Sequence, residues 1–224
     1  MDGGPARREY ALLFALALAV GFVVAGMFDE PGYTDAYYYF NAAKRLVEGE
    51  GLTDPYVALT YIGAQDRLPQ PSHLYWMPLA SLAAAAGMWL GGPTFGAAQA
   101  PFVLLWAALA LVSFWCGAHL GRTRRHAWAA GLLAIFSGFF APFWTMTDTF
   151  ALYGVTGALA LVSMGLGRAR RDARWMALSG AMAGLAYLTR ADGMLLAAVM
   201  VLVALWPDTP PPNPLPTGGE GASW

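Results

Sequence analysis

AAQAPFVLLWAALALVSFWCGAHL, residues 97–120, contains no Asp, Glu, Lys or Arg. As a helix rising 1.5 Å per residue it is roughly 36 Å long, enough to cross a bilayer core of about 30 Å. Inside that layer backbone groups find no water, so a spanning segment must close its own hydrogen bonds as a helix. Outward from this block the pattern repeats. Apolar stretches occupy Tyr10–Phe28, His73–Leu90, Ala127–Phe143, Thr149–Leu166 and Trp175–Trp206, with the charges gathered between them. Charged residues make up 12% of the chain, about half the share of a soluble domain. The sequence therefore predicts an all-α, polytopic transmembrane helix bundle and excludes a soluble globular domain. A net charge of -1 gives no field that would attract nucleic acid. The single cysteine, Cys116, excludes an intramolecular disulfide.

The first apolar run follows Arg7 and Arg8 and is longer than the core of a secretion signal, with no small-residue cleavage site after it. It reads as a retained first span, residues 10–28. The arginines then orient the chain. They fall in three groups, Arg7/Arg8, Arg122/Arg124/Arg125 and Arg168/Arg170/Arg171/Arg174, and the positive-inside rule puts all three in the cytoplasm. Two blocks separate the second and third groups, which is consistent. Three separate the first and second, so one of these does not cross. His73–Leu90 is the choice: it contains Pro78, is rich in alanine, and runs into Gly91-Gly92-Pro93. A shallow or interfacial helix over 73–90 fits this better than a span. Spans are then expected at 97–120, 127–143 and 149–166. The block 175–206, interrupted by Arg190 and Asp192, is either two short helices meeting at a polar turn or one tilted span. The loop 29–72 and the turn at Asp148 both face outside.

That outer loop is not featureless. Thr34 is a fit N-cap and Asp35 a first-turn carboxylate that suits the helix dipole. Residues 35–51, DAYYYFNAAKRLVEGEG, align Tyr37, Phe40, Ala43 and Val47 on one face and end at Gly49 and Gly51. A juxtamembrane amphipathic helix is expected. The proline- and glycine-rich tail 207–224 has no periodicity and is expected to be disordered.

Chemistry is sought where polar groups sit in apolar surroundings. Asp148, in FWTMTDTFALYG, stands at the mouth of a membrane helix, a costly place for a carboxylate unless it is used. Asp35 is brought to the same side by the parity argument. For each the structural alternative is a helix cap or first-turn charge. Two carboxylates in a partly desolvated cleft can divide the work of a general base and of cation binding. Asp29, with Glu30, could join them or simply be solvated at the interface. Arg190 could hold a phosphate with its planar fork, or pair with Asp192. His73 is first an interfacial residue and second a phosphate contact. Tyr37 is placed near the same face. His119 and His126 flank the inner basic turn and need no role. No phosphate-binding loop, zinc spacing, dinucleotide fingerprint or nucleophile elbow is present.

The order of these features resembles the start of the C-type (GT-C) membrane glycosyltransferases, in particular the protein-mannosyltransferase and aminoarabinose-transferase branch. The likeness rests on YTDAYYYFNAAKRLVEGEG (33–51), QPSHLYWMPLASLAAAAG (70–87), TDTFALYGVTGALAL (147–161) and GAMAGLAYLTRADGMLLAA (180–198). It implies a GT-C-like N-terminal module over residues 1–206, a polyprenyl-phosphate sugar donor, and transfer at the extracytoplasmic face of a cell membrane. It also implies catalytic roles for Asp35, as the base acting on the acceptor, and for Asp148, as the second acidic position. Asp148 would be the metal-holding group, with Mg2+ or Mn2+ as the candidate ions. His73, Arg190, Tyr37 and Asp29 are the substrate-binding candidates. The chain departs from the family where Gln70–His73 replaces a basic-Pro-Pro element: Ser72 stands for the second proline and there is no lysine. Ala36 stands where many relatives carry a second acid. Family members are also longer, so a truncated enzyme with a missing C-terminal half is expected. Membrane lipids are the other expected partners, and nucleic acid is not one. The competing reading is a non-catalytic polytopic membrane protein, a transporter fragment or assembly subunit. Such a transporter should carry polar residues at mid-membrane, whereas here the block middles are Ala, Leu, Gly and Val.

Overall fold

The computed structural model describes residues 5–55, 68–121 and 123–206. The expected disorder of the tail 207–224 and the placement of Arg122 lie outside the described residues. Among the described residues the architecture is all-α apart from one two-residue ladder. In chain order the helices are α1 (Arg7–Ala25), α2 (Thr34–Val47), α3 (Leu79–Gly91), α4 (Phe95–Leu120), α5 (Arg124–Ile135), α6 (Ala141–Thr145), α7 (Phe150–Arg170), α8 (Ala173–Thr189) and α9 (Met194–Leu205). The strands β1 (Thr53–Asp54) and β2 (Gln70–Pro71) pair antiparallel in the loop between α2 and α3. Among the described residues three helices, α1, α4 and α7, are long and apolar enough to cross a membrane, or four spans if the bent pair Arg124–Ile135 and Gly138–Thr145 counts as one.

Helix starts follow local chemistry. Thr94 caps α4 by accepting from the Ala97 N–H at 3.3 Å, and Thr123 caps α5 by accepting from His126 N–H at 3.2 Å. Asp172 accepts from Arg174 N–H at 2.9 Å ahead of α8. At α1 the cap comes from within the helix. Glu9 reaches back to the Ala6 N–H at 2.8 Å, and its other oxygen accepts from Arg124 Nε at 2.6 Å and Trp128 Nε1 at 2.8 Å. One nearly buried carboxylate thus ties the start of α1 to the start of α5, next to the basic connection.

The central helix is α4, with α1, α3, α5 and α7 packed around it. Trp106, Phe102 and Phe114 on α4 are fully buried, with Leu13 of α1 and Ile135 of α5. Small residues set the spacing. A Cβ on Gly87 of α3 would sit 2.8 Å from Pro101 Cδ and closer still to the Ala97 carbonyl oxygen, so α3 and α4 can meet only because Gly87 has no side chain.

The expected span 127–143 is not one straight helix. α5 stops at Ile135, and α6 with its preceding 3-10 turn leaves at 53°. Gly138 has φ 61, and Pro142 has no N–H to extend a ladder. The Ala134 carbonyl left over at the break accepts from Trp106 Nε1 at 2.9 Å, so the bend is satisfied from α4. The helix expected over 73–90 starts later, at Leu79 after Pro78, and its 13 residues extend only about 20 Å. The α2 face also differs from expectation. Ala36, Tyr38, Tyr39, Ala42 and Ala43 are buried, while Tyr37, Phe40 and Val47 are only half-buried. The small alanines let α2 lie close on α3, where Ser81 Oγ donates to the Tyr39 carbonyl at 3.0 Å, and this contact selects the buried face.

The block 175–206 is two helices. α8 ends at Thr189, Ala191–Gly193 makes a 3-10 turn, and α9 doubles back along α8. Arg168 near the end of α7 donates to the carbonyl of Val203 and, at 2.9 Å, to that of Trp206, which fixes the far end of α9.

Candidate functional site

The chain direction of each helix brings polar residues of three loops to one end of the bundle. α1 ends there, α2 begins there, α6 runs into α7 there, and α8 turns into α9 there. Thr147 Oγ1 donates to the Ala36 carbonyl at 2.9 Å, stapling the loop before α7 onto the first turn of α2. This staple places Asp148 beside Asp35, far apart as they are in sequence. The two carboxylates line one open cleft of about 420 Å³ together with Tyr39, Tyr75, Trp76 and Arg190.

The two acids are in different states of engagement. Asp148 is 4% exposed. Tyr33 O–H donates to its Oδ2 at 2.6 Å and Thr149 N–H to its Oδ1 at 2.5 Å. Burial, then the charge of Asp148 and the hydrogen bond to it, hold the Tyr33 phenol far above its ordinary range, so it stays a donor. Asp35 is half-buried, and no side chain among the described residues donates a hydrogen bond to it. Desolvation first and the charge of Asp148 second push its carboxyl above the usual carboxylate range, while Arg190 pulls it back down. A carboxylate so placed is more basic than a solvated one and has its lone pairs free for an incoming proton. Asp148 is locked as an acceptor.

Arg190 follows α8 and is held on two sides. Its Nε pairs with Asp192 at 3.1 Å, and its guanidinium stands 5.8 Å from the Tyr153 ring centroid. The pairing with Asp192 is thus present, and Arg190 still lines the cleft, 45% exposed, where its fork can meet an anion. Thr149 also lines the cleft; its hydroxyl is buried and has no hydrogen-bond partner among the described residues.

Three of the sequence candidates lie elsewhere. Asp29 is exposed and borders a separate cavity between the end of α1 and the start of α4. Tyr37 lines a neighbouring cavity of about 290 Å³ with Thr34, Tyr38 and Trp76, and is held by Glu30 rather than by the acid pair. It leaves the cleft because the buried face of α2 is rotated from the face expected. His73 stands behind the cleft wall, stacked on Tyr39 at 6.2 Å. Its φ is 61, its N–H donates to Tyr38 Oη at 2.5 Å, and its Nδ1 lies 3.2 Å from the Trp76 carbonyl. Burial pushes the imidazole below its usual value, which disfavours its cationic form, and the Nδ1 contact ties the ring to the Trp76 carbonyl.

For a metal, the donor set is thin. Among the described residues no three His, Cys, Asp or Glu side chains converge, and Asp148 spends both oxygens on hydrogen bonds. Mg2+ is commonly held by one or two carboxylates together with waters and a substrate phosphate, and the two acids face the cleft beside the Arg190 guanidinium.

Comparison with known proteins returned no matching family model, no matching curated protein and no matching solved structure. The site therefore rests on its own geometry. Sequence reading missed Tyr33, Tyr39, Tyr75, Trp76, Thr149 and Thr189. Tyr39, Tyr75 and Trp76 stand among many other aromatic residues, 14% of the chain, and no pattern singles them out. Tyr33 had one signal, its place two residues ahead of Asp35 in YTD.

Proposed function

We propose that this chain is the membrane module of a glycosyltransferase, moving a sugar from a polyprenyl-phosphate donor to an acceptor at the extracytoplasmic face of a cell membrane. The observation that carries this reading is the shared cleft, in which a free, raised-pKa carboxylate, a locked carboxylate and an arginine face one open space. In the proposed step, Asp35 takes the proton of the acceptor O–H, and the acceptor oxygen attacks the anomeric carbon. The carbon–oxygen bond to phosphate breaks with inversion, and the lipid phosphate leaves carrying the electron pair. Arg190 balances the charge of the phosphate, aided by the unpartnered Thr149 hydroxyl. Tyr75 and Trp76 supply flat apolar surfaces for the sugar.

Sidedness is supported by the distribution of arginine. α7 is 21 residues, roughly 31 Å, from the cleft end to Arg170, and Arg168, Arg170, Arg171 and Arg174 sit at its far end. Glu9–Arg124 puts the start of α1 and α5 at that end as well. The positive-inside rule sends this end to the cytoplasm and the cleft outside. Reporter fusions after residues 55 and 146 are expected to read as exported at both points. A cytoplasmic signal at either would remove the enzyme reading and leave the non-catalytic membrane protein.

The acid limb of the pH–rate profile gives a second test. Asp35 must be ionised to act, so kcat/KM rises with pH through its pKa. Asp148→Asn removes a charge that raises that pKa, and the limb is expected to move to lower pH. Arg190→Gln removes a charge that lowers it, and the limb is expected to move to higher pH. Profiles measured with a synthetic polyprenyl-phosphate hexose and moving the same way in both variants would exclude Asp35 as the base.

A further inference from the structure

A second cavity, of about 420 Å³, opens where α1 ends and α4 begins, outside the carboxylate cleft. Among the residues that line it are Phe22, Asp29, Thr94, Gly96 and Gln99. Its electrostatics come from two antiparallel helices side by side. α1 presents the negative end of its dipole with no basic residue in its last turn, and α4 presents its positive end with no acidic residue in its first turn. Neither end carries a charged side chain to offset its dipole, although the Phe22, Val24 and Ala25 carbonyls accept from the Gly26, Met27 and Phe28 N–H groups. Thr94 Oγ1 takes the Ala97 N–H, while the N–H groups of Phe95 and Gly96 have no acceptor within the helix. Gly96 keeps this ground open, since a Cβ there would meet nothing within 4 Å.

Gln99, one turn further along α4, is 2% exposed, and its amide nitrogen is buried with no hydrogen-bond partner among the described residues. An orphaned donor of this kind costs free energy unless an acceptor arrives. The donors of Gln99 and the α4 N-terminus thus define an anion side, and exposed Asp29 with the α1 C-terminus a cation side. The flank is apolar, with Phe22 54% exposed beside it.

We propose that this cavity binds a zwitterionic phospholipid headgroup bearing a primary ammonium, of the phosphoethanolamine class. The phosphodiester lies against the α4 N-terminus and Gln99, the ammonium against Asp29 and the end of α1, and an acyl chain along Phe22. A trimethylammonium head cannot donate hydrogen bonds to Asp29, and an anionic glycerol head leaves Asp29 unpaired. The site is independent of the transferase reading, because none of its residues lines the cleft.

The full chain, purified in detergent, is titrated with dioleoyl phosphatidylethanolamine, phosphatidylcholine and phosphatidylglycerol in competition, and retained lipid is read by native mass spectrometry. One phosphatidylethanolamine is expected to be held about tenfold more tightly than either competitor, the worth of one charge-assisted contact. Asp29→Asn, at an exposed position, is expected to erase the preference over phosphatidylglycerol. Gly96→Trp, which has room for its Cβ, is expected to abolish retention of all three. Equal retention of the three lipids by the unaltered chain, or retention unchanged in both variants, overturns the proposal. Displacement by equimolar water-soluble O-phosphoethanolamine would assign the site to a free zwitterion and overturn the lipid assignment, as would displacement by inorganic phosphate.

Discussion

Asp35→Asn is expected to reduce sugar transfer from a polyprenyl-phosphate donor by about 10²–10⁴-fold, the range over which a positioned general base contributes. Asparagine keeps the size of the side chain and its place in the first turn of α2, so the cleft retains its shape. What is lost is the proton acceptor. The fold has little reason to notice. A first-turn carboxylate contributes roughly 0.3–1 kcal/mol through the helix dipole, and here desolvation and the neighbouring Asp148 oppose that gain. The variant should therefore insert, purify and melt like the parent while donor turnover collapses. Asparagine at Asp148 is expected to behave differently, because Asp148 serves as an acceptor fixed by Tyr33 and Thr149. It should slow transfer and move the acid limb rather than remove it. An Asp35→Asn chain that turns over donor at the parent rate would end the mechanism.

Gly193→Leu is expected to destabilise the protein by about 1–3 kcal/mol or more and to remove Arg190 from the cleft. Gly193 is buried, with φ -57, so no backbone strain forbids a side chain there. The obstacle is contact: a Cβ would lie 2.5 Å from Ala186 C and from Tyr187 N. These are helix backbone atoms of α8 and cannot swing aside, so the turn Ala191–Gly193 would have to lift away. Arg190 and Asp192 sit on that turn and would move with it. Thermal unfolding should show a lowered Tm, and limited trypsin digestion should find the bond after Arg190 newly accessible. Gly184→Leu on the same helix is the control, because a Cβ there meets nothing within 4 Å. Equal melting temperatures for the two variants would contradict the close packing of the Ala191–Gly193 turn on α8.

Some of this was legible in the residues and some was not, for definite reasons. The apolar blocks showed as helices because a segment without charges can satisfy its backbone only internally. Asp148 stood out because a carboxylate at the edge of an apolar block is costly unless it is used, and Asp35 because the grouping of arginines put it on the same side. The break at Arg190 could be seen, though not its outcome. Periodicity put Tyr37 on the inner face of α2, but the packing of Ala36, Tyr39 and Ala43 against α3 turned the helix otherwise. His73 read first as an interfacial residue and second as a phosphate contact, and its buried, aromatic-stacked setting disfavours the charged imidazole.

Helix content, the positions of the apolar segments and the crowding of arginine toward one end follow from composition and local order alone, since they depend on each segment's exchange with its solvent. The bend after Ile135, the doubling back of α9 and the meeting of Asp35, Asp148 and Arg190 were decided only by tertiary structure. The bend and the meeting of the two acids depend on contacts between residues distant in the chain, Trp106 with the Ala134 carbonyl and Thr147 with the Ala36 carbonyl. The reversal of α9 depends on the close approach of Gly193 to the α8 backbone. A one-dimensional pattern carries hydrophobicity and spacing but not which freed carbonyl a distant side chain will find, and that choice places the site.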